Sequence, residues 1–229
     1  VTTIHMGLPR KATPLVPEQR MAVLERSGLR AGRFLLYPAD FRPHKNHRML
    51  LTAFKMYRAR NPGSDLELVC TGTPNADMEC LRDAVARMEL AGAVRFPGDV
   101  SDEVFTALLQ ACRALIFPSL YEGFGIPVLE AMALGKPVLC SRVASLPEVA
   151  GDAAVYFDPR KPAEIVRAIE RIDSDIALAE RLIHLGYARL TTFGDASEMA
   201  QRYLQVFREV VPDFPYPPYT FHGIYADGW

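Results

Sequence analysis

Two carboxylates, Glu122 and Glu130, stand eight positions apart in the segment Glu122-Gly-Phe-Gly-Ile-Pro-Val-Leu-Glu130. An apolar run, Ala114–Ser119, precedes the Gly-Phe-Gly turn, and a helix-forming run carries the second acid. Strand, glycine turn and helix start together hold a phosphate well, because the first-turn N–H groups lack partners and the helix dipole favours negative charge there. A carboxylate does not bind phosphate, so the two acids need another task. Accepting hydrogen bonds from hydroxyls on either side of the phosphate is one that suits them, and a ligand with hydroxyls flanking a diphosphate is a nucleotide sugar. Because Glu122 lies ahead of the helix, the acids can bracket the turn and need not share a helical face.

A second segment, Pro38-Ala-Asp-Phe-Arg-Pro-His-Lys-Asn-His47, follows another apolar run. Lys45 at a strand's carboxyl end is placed to neutralise a diphosphate. Asn46 is expected to cap the next helix, with His47 in its first turn. Gly98-Asp-Val100 closes a third strand and offers backbone groups as a wall for a nucleobase. Gly72 ends the second strand on the same edge, and Ser141, Ser145, Pro147 and Glu148 follow the fifth.

Other chemistry is poorly supported. His44 and His47 form an H-x-x-H without a carboxylate or cysteine to complete a metal site. Asp173 and Asp175 have the spacing of a metal-binding acidic pair, but they lie between two helical stretches, where capping explains them. No metal is therefore expected. The G-x-G-x-x-G pattern of dinucleotide sites and the G-x-x-x-x-G-K-[ST] loop are both absent, which argues against NAD, FAD and P-loop chemistry.

The elements that must carry these residues alternate. Apolar strands are expected at Arg33–Pro38, Leu66–Gly72, Ala93–Pro97, Ala114–Ser119, Pro137–Ser141 and Ala153–Phe157. Helices are expected at Asn46–Arg60, Asp77–Leu90, Ser101–Cys112 and Ile126–Leu134. Strands apolar throughout read as covered on both faces, so the expected fold is α/β, a Rossmann-like parallel sheet of about six strands with helices on both sides. Ligands bind such sheets beyond the strands' carboxyl ends. Residues 1–32 read as a linker with a short helix near Glu18–Arg26, and residues 33–190 as the nucleotide-sugar-binding domain. Helices Pro162–Ile172 and Ile176–Tyr187 close that domain. Residues 191–211 hold a crossing helix with Tyr203, Val206, Phe207 and Val210 at helical spacing. Residues 212–229 form an irregular tail rich in proline and aromatics.

Composition fits a globular domain of ordinary make-up, with 49% hydrophobic and 23% charged residues. A net charge of -1 supplies no general field for nucleic acid or anionic membrane. Cys70, Cys112 and Cys140 sit in or beside apolar runs and read as reduced, buried thiols. Neither a transmembrane span nor a signal peptide is apparent, and a cytoplasmic location is expected, extending to peripheral contact with the inner face of a membrane.

The stretch Ser119-Leu-Tyr-Glu-Gly-Phe-Gly-Ile-Pro-Val-Leu-Glu-Ala-Met-Ala-Leu-Gly-Lys-Pro-Val138 resembles the signature of the retaining glycosyltransferases of the GT4 family, in their C-terminal, donor-binding domain. Tyr37–His47 resembles the phosphate loop of a polysaccharide-assembly branch, and Phe96–Glu103 and Ser145–Ala154 fit as well. The resemblance runs from about Gly32 to Val211. It implies a GT-B enzyme transferring a hexose, such as mannose from GDP-mannose or another NDP-sugar, to a glycan or lipid-linked acceptor in bacterial surface polysaccharide synthesis. By position, it implies that Glu130 binds the ribose, that Glu122 contacts the transferred sugar, and that Lys45 stabilises the departing diphosphate. Gly123, Phe124, Gly125 and Ile126 would line the sugar and diphosphate, with no metal required. It also implies an acceptor-binding N-terminal domain outside these residues. Many relatives carry an Arg at the place held here by Ala39 or Asp40; Arg42, later in the loop, is the candidate donor-binding residue in its stead, and whether it substitutes is left open by the sequence. A non-catalytic nucleotide-sugar-binding module is a second reading, and an NAD-dependent enzyme acting on nucleotide sugars is a third.

Overall fold

The computed structural model describes residues 2–6 and 13–212. Six parallel strands form one sheet: β1 (Phe34–Pro38), β2 (Glu67–Thr71), β3 (Val94–Gly98), β4 (Ala114–Phe117), β5 (Val138–Ser141) and β6 (Ala154–Phe157). Their order across the sheet is β3-β2-β1-β4-β5-β6. From β1 the chain walks outward to β3, then returns beside β1 with β4 and walks the other way. The reversal leaves a crevice beyond the carboxyl ends of β1 and β4, where an open α/β sheet of this order binds its ligand.

The inner strands β1, β2, β4 and β5 form where they do because their residues are apolar on both faces, while the edge strands β3 and β6 are only partly covered. Phe34, Leu35, Leu36 and Tyr37 of β1 are fully buried, as are Ala114, Leu115 and Ile116 of β4. Each large side chain so covered contributes roughly 1.5–3 kcal/mol. The cover is helical. α2 (His47–Arg60) packs on α7 (Pro162–Ser174) and α3 (Ala76–Arg87), and α5 (Ile126–Ala133) packs on α8 (Ile176–Leu190). α1 (Pro17–Ser27), expected as part of a linker, packs on α4 (Asp102–Ala111) and clusters with the sheet. Ser101 caps α4 and Asn75 caps α3 through side-chain oxygens, and Asp175 caps α8 by accepting from Leu178 N–H at 2.8 Å.

One expected cap is different. Asn46 occupies the position before α2 in the left-handed conformation, φ 64°, and makes no cap bond. Its amide instead donates to the carbonyls of Pro118 at 3.0 Å and Pro159 at 2.9 Å. Asn46 thereby ties the loop after β1 to those after β4 and β6. A short helix, α6 (Leu146–Ala150), also appears where the sequence suggested only a loop. At five residues it is too short to show a helical period.

The chain divides into two compact units. One holds the described residues of Lys11–Leu190, the other those of Val1–Arg10 and Thr191–Trp229. Within the second, α9 (Ala196–Val210) is capped by Asp195, and Tyr203 and Phe207 neighbour one another, with ring centroids 6.2 Å apart. The aromatic tail from residue 213 onward lies outside the described residues.

The β1–β2 edge is tight at Gly72, whose φ is 156° and where an added Cβ would meet the Ala39 carbonyl oxygen at 2.4 Å. Backbone, not a flexible side chain, is the obstacle. Gly72→Ala is expected to cost about 2–3 kcal/mol, a fall of roughly 5–10 °C in Tm. Gly63→Ala, which meets open space, is expected to stay within about 0.5 kcal/mol; thermal unfolding of the two variants checks this.

Candidate functional site

Lys45 and Glu122 come from opposite sides of the crevice and meet. Lys45 closes a single 3₁₀ turn (Pro43–Lys45) after β1, and Glu122 follows β4. The ammonium Nζ lies 2.8 Å from Glu122 Oε1, with the side chains only 18% and 10% exposed. The backing of this pair is polar and satisfied. The buried hydroxyl of Tyr37 donates to the Lys45 carbonyl at 2.6 Å and lies 3.1 Å from Ser119 Oγ. Leu120 N–H donates to the His44 carbonyl at 2.8 Å, joining the two loops directly. The Tyr37 hydroxyl is pushed well above its ordinary pKa, by burial first, so it stays a donor.

The glycine turn is held from behind. Ser145 Oγ lies 3.0 Å from the Glu122 carbonyl and 3.2 Å from that of Phe124. Gly125 precedes α5 with φ 98°, and a Cβ there would come within 2.7 Å of Leu146 Cδ2 on α6. The left-handed φ is what requires glycine at 125, and Leu146 of α6 adds crowding. Ile126 begins α5 and Pro127 follows, where a missing N–H costs nothing. The turn carbonyls face Ser145, and among the described residues the Gly123 and Gly125 N–H groups have no acceptor.

Glu130 lies in α5, half-buried. Burial, and then the charge of Asp102, push its carboxyl pKa up. Near it a cleft of about 210 Å³ opens at the carboxyl ends of β1, β2 and β3. Ala39 and Asp40, Thr71 to Thr73, and Asp99, Val100, Asp102 and Phe105 wall it. Gly72 and Val100 are therefore at the expected edge, and Gly98 closes β3 with φ 81°. The cleft wall carries three carboxylates and neither Lys nor Arg. The sequence placed Asp99 in the Gly98-Asp-Val100 edge expected to offer backbone groups, and Asp40 only at the place of an Arg, so a shared carboxylate wall with Asp102 of α4 was not expected.

Arg42 does not join Lys45. Its Nε sits 3.7 Å from Asp40 Oδ2, and its side chain lines a separate cleft. His47 opens α2, in its first turn as expected, and is buried there: it is 4% exposed, between the rings of Tyr37 at 4.6 Å and Phe41 at 5.0 Å. Burial, and then the Lys45 charge, lower its pKa to about 4. Asp173 accepts from the Tyr57 hydroxyl at 2.5 Å and serves the fold. Among the described residues no group of three or more His, Cys, Asp or Glu could hold a metal ion, and no helix is long and apolar enough to cross a membrane.

The family described as glycosyl transferases group 1 matches residues 26–189, and the chain belongs to it. The chain is 37% identical over 163 residues to the O-antigen chain mannosyltransferase B of Escherichia coli, covering 69% of this chain and 42% of that protein. It spans less than half the length of that relative. Among solved structures, a glycosyltransferase from Rickettsia africae superposes with a TM-score of 0.82 at 18% identity, covering 92% of this chain and 57% of that one. The Anabaena protein HepE, solved with UDP and glucose, gives 0.80 at 18% identity, covering 90% and 56%. At such identities the structures establish the shared fold.

A neutral buried His47 makes stability depend on pH. Unfolded, it binds a proton near pH 6.5; folded, it resists to about pH 4. Its contribution is therefore intact above pH 6.5 and lost as pH falls toward 4, by about 2 kcal/mol at pH 5. Urea unfolding of His47→Gln at pH 7 and pH 5 should show that much less acid loss than the parent chain.

Proposed function

We propose that this group 1 glycosyl transferase holds a nucleoside-diphosphate sugar at the β1–β4 crevice and passes its hexose, with retention, to a glycan acceptor. The observation that carries the reading is the Lys45–Glu122 pair meeting across the switch point, 2.8 Å apart and mostly withdrawn from water. A cation here stabilises the negative charge that grows on a departing diphosphate, and the α5 N-terminus and the uncommitted N–H groups of Gly123 and Gly125 add to it. Phe124 and Ile126 shape that turn. Glu122, released from Lys45, accepts a hydrogen bond from a sugar hydroxyl. Glu130 accepts from the ribose. No metal is assigned to any of these tasks.

The cleft beyond β1–β3 supports a choice of base. Its carboxylates Asp40, Asp99 and Asp102 suit a base that presents adjacent N–H donors, as guanine does, better than uracil. That agrees with the mannosyltransferase name of the E. coli relative, and we take GDP-mannose as the donor. The acceptor is taken to be a growing surface polysaccharide, held by a part of the protein outside these residues and reached at the cytoplasmic face of the membrane.

A thermal-shift panel tests the donor assignment, since a ligand that binds only the folded state raises stability by about 2.7 kcal/mol at a hundredfold excess over Kd. GDP is expected to stabilise the chain more than UDP or ADP, with EDTA making no difference. Equal or absent shifts for all three would sink the donor reading. Lys45→Met should erase the advantage of GDP over GMP.

Glu130→Gln separates binding from folding. A carboxyl whose folded pKa is raised costs stability once pH passes its unfolded value, so the Gln variant at pH 7 should melt no lower than the parent chain. Its GDP affinity should nevertheless fall about tenfold or more, the loss of roughly 1.4 kcal/mol from one hydrogen-bonding group.

A further inference from the structure

Tyr121, on the loop beyond β4, is 66% exposed, more than any other described Phe or Tyr. The next residue, Glu122, is withdrawn from water and paired with Lys45. The exposed ring nevertheless stands on a fixed stem. On one side Leu120 N–H donates to the His44 carbonyl at 2.8 Å. On the other the Glu122 carbonyl accepts from Ser145 Oγ at 3.0 Å. The ring itself makes no hydrogen bond and no ring contact among the described residues. An aromatic left in water adds nothing to the core. Held at a fixed point beside the ion pair of the crevice, it is a contact surface that costs little to order, because tyrosine has few side-chain torsions to freeze.

What the ring would meet follows from the proposed function, on which this inference rests. There the donor runs along the motif, with the ribose at Glu130, the diphosphate at the Gly123–Gly125 turn and the hexose at Glu122. Tyr121 is one residue further, past the hexose, at the end where the acceptor joins it. The Lys45–Glu122 pair beside it is neutral overall, which suits an uncharged partner. A hexopyranose is such a partner: one side presents axial C–H groups that cover an aromatic face, and its rim presents hydroxyls. Tyrosine, with an apolar body and a polar tip, matches both. We infer that Tyr121 is an acceptor-binding residue, its ring stacked on the terminal hexopyranose of the glycan. The ring carries the contact and the phenol hydroxyl is secondary to it.

Methyl α-D-mannopyranoside is the probe, added to the 229-residue chain saturated with GDP-mannose so that the hexose position is already filled. The nine tyrosines allow ring-proton NMR, with Tyr121 assigned by the signal lost in Tyr121→Phe. The mannoside should shift the Tyr121 resonance saturably, in the millimolar range. Mannitol, which has the hydroxyls but no pyranose face, should bind about fivefold more weakly or worse, as should the mannoside to Tyr121→Ala. Tyr121→Phe should bind the mannoside within about twofold of the parent, and calorimetry should give both variants the parent's affinity for GDP and GDP-mannose within about twofold. An unmoved Tyr121 signal, mannitol binding as well as the mannoside, an Ala variant that binds as the parent does, or a Phe variant as weak as Ala would overturn the inference. Loss of GDP-mannose in Tyr121→Ala would overturn it too, by moving the ring to the transferred hexose. In each of those cases GDP still binds and the donor reading stands. A parent chain that binds neither GDP nor GDP-mannose would instead overturn the donor reading and this inference with it.

Discussion

An ion pair between Lys45 and Glu122, formed across the reversal in strand order, is the constraint on which the rest of the site depends. Neither residue could reach the other from neighbouring strands in sequence: 77 positions separate them. They meet because β1 and β4 are adjacent in the sheet, and because the loops beyond those strands are bound to each other by Leu120 N–H and by the Asn46 amide. A pair this far from water costs desolvation free energy that its attraction does no more than offset. Its value is therefore in placement. It keeps a cation and a carboxylate ready on the two sides of the position where a diphosphate and a sugar would sit, which is a form of preorganisation.

The surrounding structure serves the same end. Tyr37 fixes the Lys45 backbone from within the sheet, Asn46 fixes the next residue, and Ser145 fixes the turn after Glu122. All three bonds run from a side chain to a main-chain carbonyl. That leaves the N–H side of the glycine turn and the side chains of Lys45 and Glu122 for the donor in the proposed function. His47 completes the packing against Tyr37 as a neutral ring; burial first, and then the Lys45 charge, disfavour the protonated form and keep its pKa low.

Much of this was legible in the sequence. The inner strands are apolar runs between turn residues, a pattern that two-sided burial imposes, and the sheet has six parallel strands as expected. Lys45, Glu122, the glycine turn and Glu130 were identifiable because few chemistries need those types at that spacing. Less legible was whatever depends on long-range pairing. Asn46 has the composition of a cap and acts as a bridge, because the carbonyls of Pro118 and Pro159 come within its reach only after folding. Whether Arg42 takes the place of the relatives' Arg was open in the sequence; its side chain turns to Asp40, a pairing the loop's composition does not announce. His47 was expected in the first turn of α2 and is there, but its burial between Tyr37 and Phe41 has no local signal. The acidic wall of Asp40, Asp99 and Asp102 is assembled from the loop after β1, the loop after β3 and the first residue of α4, and has no local motif.

If Glu122 holds Lys45 in reserve for a diphosphate, then the two compete for one ammonium. Calorimetric titration of GDP and GDP-mannose into the parent chain, Lys45→Met and Glu122→Gln tests this directly. The account predicts that Lys45→Met weakens both ligands, that Glu122→Gln binds GDP at least as tightly as the parent, and that only GDP-mannose suffers from the loss of Glu122. A Glu122→Gln variant that loses GDP as severely as Lys45→Met would contradict it, because Glu122 would then be holding Lys45 in shape for the diphosphate and not competing with it.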